Sequence, residues 1–357
     1  MRRRVGIICA AGGLAFLAAL ILGPAGIAPS KLIGGLLHPD APGADSVRTL
    51  VLGLRLPRAV LAALVGASLG ASGALLQAYF QNPMAGPYVI GVSSGAALAV
   101  AILSVLVGTS APPRGSIPAA ALLGGAGIVA LVASLSGRAR GRRTETLLLV
   151  GMAVAAVCSA ITSVLLLRLP RGPEGVLFWL MGSLSGAAWG GSALVAAGAV
   201  IGMGIGFWNA HALDAILWGD DVARSVGVDV RRTRLLILVA ATVPAAASVA
   251  TCGVIGFLGL MAPHIARGIV GPGHTRLLPL SAVVGAGWLL VADLFARLLM
   301  APTELPVGAI TSAVGAPFLV WICLRRRRSW DSSDSTPRRS SRRERNSSRK
   351  GSTTRPA

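Results

Sequence analysis

Charged side chains are scarce in this sequence. Only 13% of its 357 residues are Asp, Glu, Lys or Arg, whereas a soluble domain carries about 25%. Hydrophobic residues make up 54% of the chain, and the mean hydropathy is +0.73. This balance excludes an ordinary soluble domain and indicates a chain that lies mostly inside a membrane.

Motifs for nucleotide binding and catalysis are also missing from the sequence. Lysine occurs only at Lys31 and Lys350, and neither follows a glycine-rich turn, so the chain has no P-loop for ATP. The main ions inside apolar runs are Asp293 and Arg297, which lie one helical turn apart and can pair with each other. No HExxH motif or Ser-His-Asp arrangement is present. We therefore expect no enzymatic activity, cofactor or metal site, and any ATP hydrolysis must belong to another subunit.

Cysteine and histidine give no sign of a metal site or a disulfide framework. All four cysteines lie in apolar runs without a paired short spacing, at Cys9, Cys158, Cys252 and Cys323. His274 falls in a predicted loop before the ninth apolar run, where we expect a solvated ring.

The C-terminal stretch from Arg325 supplies +9 of the net charge of +20. From Arg325 to the end there are twelve Arg or Lys against three acids, in a Ser-rich segment without periodicity. That composition is typical of disorder. We expect residues 325–357 to form a basic cytoplasmic tail that binds anionic membrane lipid and not nucleic acid. Specific binding of RNA or of a protein partner is the alternative.

Ten apolar runs have about the 20 residues that a bilayer-spanning helix needs. The first follows three arginines like a signal peptide, but it is long and lacks a good cleavage site, so we expect a retained span. The sequence predicts an all-α polytopic membrane protein with a transmembrane domain over 1–324. The predicted spans are 5–23, 58–79, 88–108, 117–136, 145–168, 190–208, 234–252, 254–270 (the weakest), 277–300 and 306–324.

The distribution of arginine predicts the orientation. With the N-terminus inside, the inner segments hold the arginines within 2–4, 231–234 and 325–328. Positive charge favours the cytoplasmic side of a membrane. Both termini are therefore expected in the cytoplasm of a cell with this protein in its plasma or inner membrane.

The most informative segment is 55–95, where an arginine pair precedes a span, an Asn-Pro turn and a second span. Small residues interrupt the apolar surface of the first span, and such residues let helices approach closely. This pattern predicts a packed bundle. The interrupting residues are Gly66, Ser68, Gly70, Ser72 and Gly73.

The segment 210–230 is polar enough to leave the bilayer but still periodic. A glycine break at Gly219 predicts two short helices joined at Gly219-Asp220, with Asp220 as N-cap of the second. The functional interpretation is a docking element for a soluble partner, and a simple linker on the inner surface is the alternative.

Five ordered motifs, at 55–95, 179–190, 211–230, 253–297 and 304–327, resemble those of the FecCD family of permeases. These are the membrane subunits of ATP-binding-cassette (ABC) importers for iron–siderophore, haem and cobalamin. The resemblance implies a BtuC-like bundle of about ten helices and a second permease subunit, identical or paralogous. It also implies two cytoplasmic ATPase subunits and an extracytoplasmic binding protein. Ferric siderophore is the default substrate, and an ion-coupled secondary transporter is the alternative function.

The resemblance also implies sites. Arginines at three positions would meet glutamates on the two lobes of the binding protein, although anchoring to lipid phosphates is the alternative: Arg55, Arg58 and Arg297. A second set would couple the permease to the ATPase: Leu217, Gly219, Asp220, Ala223 and Gly227.

A third implied set would form the translocation path and its inner gate, with the fifth span as the main wall. Glu145 departs from the small polar residue that the family usually has there. For the wall residues, ordinary helix packing is an equal alternative. The set comprises Asn82, Pro83, Met84, Thr144, Glu145, Gly151 and Ser159.

Overall fold

The computed structural model describes residues 1–24, 26–38, 40, 43–108, 115–138, 143–169 and 174–331, and all regular structure in these ranges is helical. A π-helical turn, Thr49–Arg55, leads into α4, and a 3-10 helix, Pro87–Ile90, leads into α5. The all-α prediction is confirmed. The α-helices are α1 (Arg2–Ile21), α2 (Pro29–Leu37), α3 (Ala44–Arg48), α4 (Leu56–Tyr79), α5 (Val92–Val107), α6 (Ser116–Arg138), α7 (Arg143–Leu166), α8 (Glu174–Leu180), α9 (Trp189–Trp208), α10 (Ala210–Leu217), α11 (Asp220–Ser225), α12 (Val230–Cys252), α13 (Leu258–Val270), α14 (His274–Leu298) and α15 (Val307–Asp331).

Each of the ten predicted spans contains a helix. Seven helical runs in the described ranges are long and apolar enough to cross a membrane, and they include α1, α4, α6, α7, α9, α12 and α14. Three shorter apolar helices, α5, α13 and the first part of α15, fall in the remaining spans. With 13 residues, α13 rises only about 20 Å. It is therefore shorter than the roughly 30 Å hydrocarbon core of a bilayer.

Irregular backbone precedes α13 and is bonded to other parts of the protein. The backbone N–H of Ser183 donates to the Cys252 carbonyl at 2.8 Å, and the Tyr88 hydroxyl donates to the Ile255 carbonyl. Phe257, just before α13, has a φ of 61°. Non-helical backbone at membrane depth is tolerated only where protein or enclosed water satisfies it. The short helix is thus accommodated because its approach segment is covered by its neighbours.

Small residues place α4 at the centre of the helix packing. A Cβ atom added to Gly66, Gly70 or Gly73 would collide with backbone atoms of Gly285, Ser281 or Gly259, respectively. The first two contacts join α4 to α14, and the third joins α4 to α13. The close helix–helix approach that the sequence predicts is confirmed.

A large side chain in this contact should prevent packing. We expect Gly70→Leu to destabilise the protein by on the order of 3 kcal/mol, because the leucine would overlap a backbone carbonyl that cannot rotate away. The matched control is Gly127→Leu on α6, where no atom lies within 4 Å of an added Cβ. Thermal unfolding of the purified proteins in detergent measures both, and equal unfolding temperatures would contradict the packing account.

The described structure separates into a compact unit, Met1–Ala316, and a C-terminal unit that begins at Pro317. Within the second unit α15 continues to Asp331, seven residues beyond the predicted end of the transmembrane domain. The predicted basic tail from residue 332 onward lies outside the described residues.

Candidate functional site

Ionic side chains meet where α4 begins and α14 ends. We call Arg55, Arg58, Asp293, Arg297 and Glu304 the Arg58 cluster. The Nε and Nη2 atoms of Arg58 donate to Asp293 Oδ1 at 3.0 and 2.9 Å, and Nη1 donates to both Glu304 carboxylate oxygens at 2.9 Å. Asp293 also pairs with Arg297, 3.1 Å from Nε to Oδ2, as the sequence allows. One buried carboxylate therefore serves two guanidinium groups, and buried charges are stable only when paired in this way.

Two arginines of the cluster bind the end of α1. Arg55 Nη1 donates to the carbonyls of Leu20 and Ile21 at 2.8 and 2.6 Å. Arg297 donates from Nη1 and Nη2 to the Ala19 carbonyl at 3.3 Å. The last carbonyls of a helix have no partner within the helix, and cations are favourable there. These arginines therefore supply the missing donors for α1.

This placement corrects the prediction that all three arginines stand on the surface. Arg55 and Arg297 are only 5% and 4% exposed, because their guanidinium groups are used inside the protein. The Arg58 side chain keeps 13% exposure. Of the three, Arg58 is the most accessible.

The α10–α11 segment lies at the other end of α4, which rises about 36 Å over its 24 residues. The two short helices and their junction are confirmed. The N-cap prediction is wrong: Gly219, with φ 115°, occupies the cap position, and Asp220 is the first residue of α11. The Asp220 carboxylate instead accepts a bond from Arg234 Nη2 at 2.8 Å, so it holds α11 to α12.

The α10–α11 segment has a packed face and an exposed face. Its packed face includes Ile216 and Ala223, which are buried with Val230. Ala223 thus contacts the permease itself, whereas Leu217 is 40% exposed and Gly227, with φ 83°, also lies on the surface. Three further large apolar side chains stand on the exposed face of this segment. They are Trp218 at 80%, Val226 at 66% and Val222 at 49% exposure.

Partly buried polar contacts fix this segment to the bundle. Asp214 Oδ1 accepts from the backbone N–H of His274 at 3.1 Å and lies 2.5 Å from the Nδ1 atom of its ring. Gln81 Nε2 donates to the Ile216 carbonyl at 2.8 Å. His274 is 1% exposed, so the expected solvated histidine is wrong. The α10–α11 segment is therefore joined directly to the end of α4 and the start of α14.

The predicted path residues on α7 do not share one face. Ser159 is exposed, but Gly151 is buried, and a Cβ atom there would collide with the Val89 carbonyl. Gly151 therefore packs α7 against the 3-10 helix and does not line an open wall with Ser159. Apart from Ser159 and Ser163, the exposed side of α7 is largely apolar, with Leu149, Met152, Val157 and Val164 all more than half exposed.

The predicted gate residues are also divided. Asn82, Pro83 and Met84 form a half-buried turn, in which the Met84 N–H donates to Asn82 Oδ1 at 2.9 Å. Glu145 lines a cavity of about 1120 Å³ among α6, α7, the end of α4 and the α10–α12 region, and Gln81, next to the turn, also lines it. The side chain of Thr144 lies outside the described residues. Charged residues of both signs line the cavity with Glu145: Asp220, Arg224, Asp229, Arg231, Arg232 and Arg234.

The sequence pattern of the FecCD transport family matches residues 12–325. The chain belongs to this family. It is 42% identical to the cobalamin import system permease protein BtuC of Halobacterium salinarum, over 78% of this chain and 74% of that protein. It is 39% identical to the hemin transport system permease protein HmuU of Yersinia pestis, over 79% of this chain and 85% of that protein.

Other relatives of this FecCD chain are named for other substrates. The Fe(3+) dicitrate transport system permease protein FecD of Escherichia coli is 38% identical over 76% of this chain and 84% of that protein. A solved structure, described as an inward-facing metal-chelate type ABC transporter, superposes with a TM-score of 0.80 at 27% identity. That match covers 91% of this chain and 100% of the other. The FecCD chain is thus a membrane permease of the ABC importer class.

The contacts between distant parts of this FecCD permease were not predicted from its sequence. Glu304 was predicted only as part of a family motif. It binds Arg58, which lies 246 positions earlier and also binds Asp293. Asp214 was not singled out, although it ties α10 to α14. One signal could have indicated Asp214: it is an acid with no nearby Lys or Arg in the sequence, in a periodic segment that leaves the membrane.

Proposed function

We propose that this permease forms one half of the membrane path of an importer for ferric siderophores, with haem and cobalamin as less favoured substrates. A second permease subunit, identical or paralogous, completes the path. Two cytoplasmic ATPase subunits supply the energy, and an extracytoplasmic binding protein delivers the substrate. The observation that carries the proposal is the pair of unlike surfaces at the two ends of α4: an exposed apolar segment and an arginine cluster.

The α10–α11 segment suits contact with an ATPase. Its exposed Trp218, Val222 and Val226 provide an apolar surface, while Asp214 and Gln81 fix it to α14 and α4. These two helices pack together along their length and meet again at the Arg58–Asp293 pair. Movement of the segment would therefore shift α4 and α14 as one rigid pair.

The Arg58 cluster suits contact with an acidic partner. Three arginines and two acids leave one net positive charge, and a guanidinium matches a carboxylate in shape. If both termini lie in the cytoplasm, this cluster faces outward. The docking role predicted for three arginines then centres on Arg58, with Arg55 and Arg297 supporting it from within.

The exposed side of α7 suits a path shared with a second subunit. Its large apolar side chains need cover from lipid or protein, and Ser159 and Ser163 add only weak polarity. The Ser163 hydroxyl donates to the Ser159 carbonyl at 3.0 Å. Its hydrogen is therefore not available to bind a passing ligand. Such a wall would let a bulky chelate slide.

The substrate is tested by uptake in a strain that lacks this permease. We expect the gene to restore uptake of iron-55 ferric siderophore, because iron is the cargo most often served by permeases that resemble this chain. Labelled hemin and cobalamin are offered in parallel to the same cells. Restored cobalamin uptake without iron uptake would contradict the substrate assignment but leave the importer class intact.

A further inference from the structure

The guanidinium of Arg58 is divided between two carboxylates of different character. Asp293, whose side chain is 1% exposed, takes the Nε and Nη2 side. Glu304, whose side chain is 32% exposed, takes Nη1 with both of its oxygens. The first pair is fixed inside the bundle. The second lies at the rim, where another carboxylate can reach it.

Glu304 lies in the short loop between α14 and α15, and hydrogen bonds fix this loop on both sides of the residue. The Leu305 N–H donates to the Ala296 carbonyl at 3.0 Å, and the Thr303 hydroxyl donates to the Met300 carbonyl at 2.7 Å. The backbone can therefore keep its place when the Glu304 side chain leaves Arg58. A carboxylate that takes the place of Glu304 would restore the bond to Nη1, so the exchange replaces one ion pair with another.

Charge decides what can replace Glu304. Without it, three arginines face only Asp293, and the net charge of the cluster rises from +1 to +2. Arg55 and Arg297 remain bound to the carbonyls of α1. The free Nη1 of Arg58 is then the group that an incoming anion meets, and a carboxylate matches it best.

We propose that Glu304 is a built-in competitor of the binding protein: it holds Arg58 until an acidic side chain of the docked binding protein displaces it. This inference rests on the docking role proposed above. Asp293 keeps the guanidinium in position throughout the exchange. Glu304 would thus slow association and restrict it to partners with a well-placed acid.

The test is Glu304→Gln in the full importer, embedded in nanodiscs, with association of the purified binding protein followed by biosensor. The glutamine keeps the size of the side chain and a hydrogen bond to Arg58 but removes the competing charge. We expect the association rate to rise on the order of three- to tenfold, with a steeper dependence on salt. Glu304→Ala should act in the same direction and serves if the glutamine protein is poorly folded.

Two comparisons separate this effect from general electrostatics. Glu174→Gln removes an exposed acid at the start of α8, and we expect the association rate to stay within about twofold of the unmodified importer, since Glu174 is not one of the two acids that pair with Arg58. Arg58→Gln should slow association, and adding Glu304→Gln to it should give no gain, because the two residues act through one contact.

An unchanged or slower association in Glu304→Gln, with Arg58→Gln still impaired, would overturn the competitor role and leave the docking role standing. If Arg58→Gln associates normally, the docking role itself fails. A faster association caused by Glu304→Gln in the Arg58→Gln protein would also overturn the proposal. It would show a charge effect that does not act through the Arg58–Glu304 pair.

Discussion

Replacing Trp218 and Val222 together by Asp should abolish substrate uptake, with a loss of at least about 100-fold, while the permease remains folded in the membrane. Both side chains stand open on the α10–α11 segment. Buried aromatic anchors at an interface can each contribute several kcal/mol, so two charges in their place should prevent ATPase binding. Copurification of the ATPase and its stimulated ATP hydrolysis are the measurements.

The matched control is Trp218→Phe with Val222→Ile, which keeps an apolar surface of similar size. We expect this protein to retain ATPase binding and most of its uptake. Normal copurification and turnover in the double aspartate protein would show that this surface does not contact the ATPase. The linker interpretation of the segment would then be preferred.

Asp293→Ala should cause the largest loss of stability, about 3–5 kcal/mol, because it removes the carboxylate shared by the buried Arg297 and the largely buried Arg58. The matched control is Asp221→Ala. Asp221 also pairs with an arginine, Arg224, at 3.0 Å, but its side chain is 99% exposed. Pairs at the surface contribute about 0–1 kcal/mol, so the control should be nearly neutral.

Thermal unfolding in detergent distinguishes the two alanine proteins. Combining Asp293→Ala with Arg297→Met should recover part of the loss, because one unpaired charge is removed. Equal unfolding temperatures for the Asp293 and Asp221 variants would contradict the account of the Arg58 cluster as a buried network.

The helices could be predicted from the sequence because membrane spans are governed by local composition. A run of apolar residues forms a helix whatever surrounds it, since its backbone groups have no water to bond. The small residues of α4 likewise predicted close packing, which Gly66 and Gly70 now show against α14. The break at Gly219 was also local, and the two short helices follow from it.

The Arg58 cluster could be predicted only in part, because it depends on contacts between segments that lie far apart in the sequence. Arg297 reaches the Ala19 carbonyl across 278 positions, and nothing in either local sequence shows that the end of α1 needs a donor from α14. His274 was misplaced for the same reason: its partner Asp214 lies 60 positions earlier. Gly151 looked like a wall residue because small residues serve both packing and pores.

Energy coupling tests the central claim most directly. The permease, the ATPase and the binding protein are reconstituted in proteoliposomes, and uptake of iron-55 ferric siderophore is followed with ATP on the ATPase side. We predict uptake that requires ATP hydrolysis, stops with vanadate and is unaffected by a protonophore. Uptake that continues without ATP and collapses with the protonophore would contradict the account and favour an ion-coupled carrier.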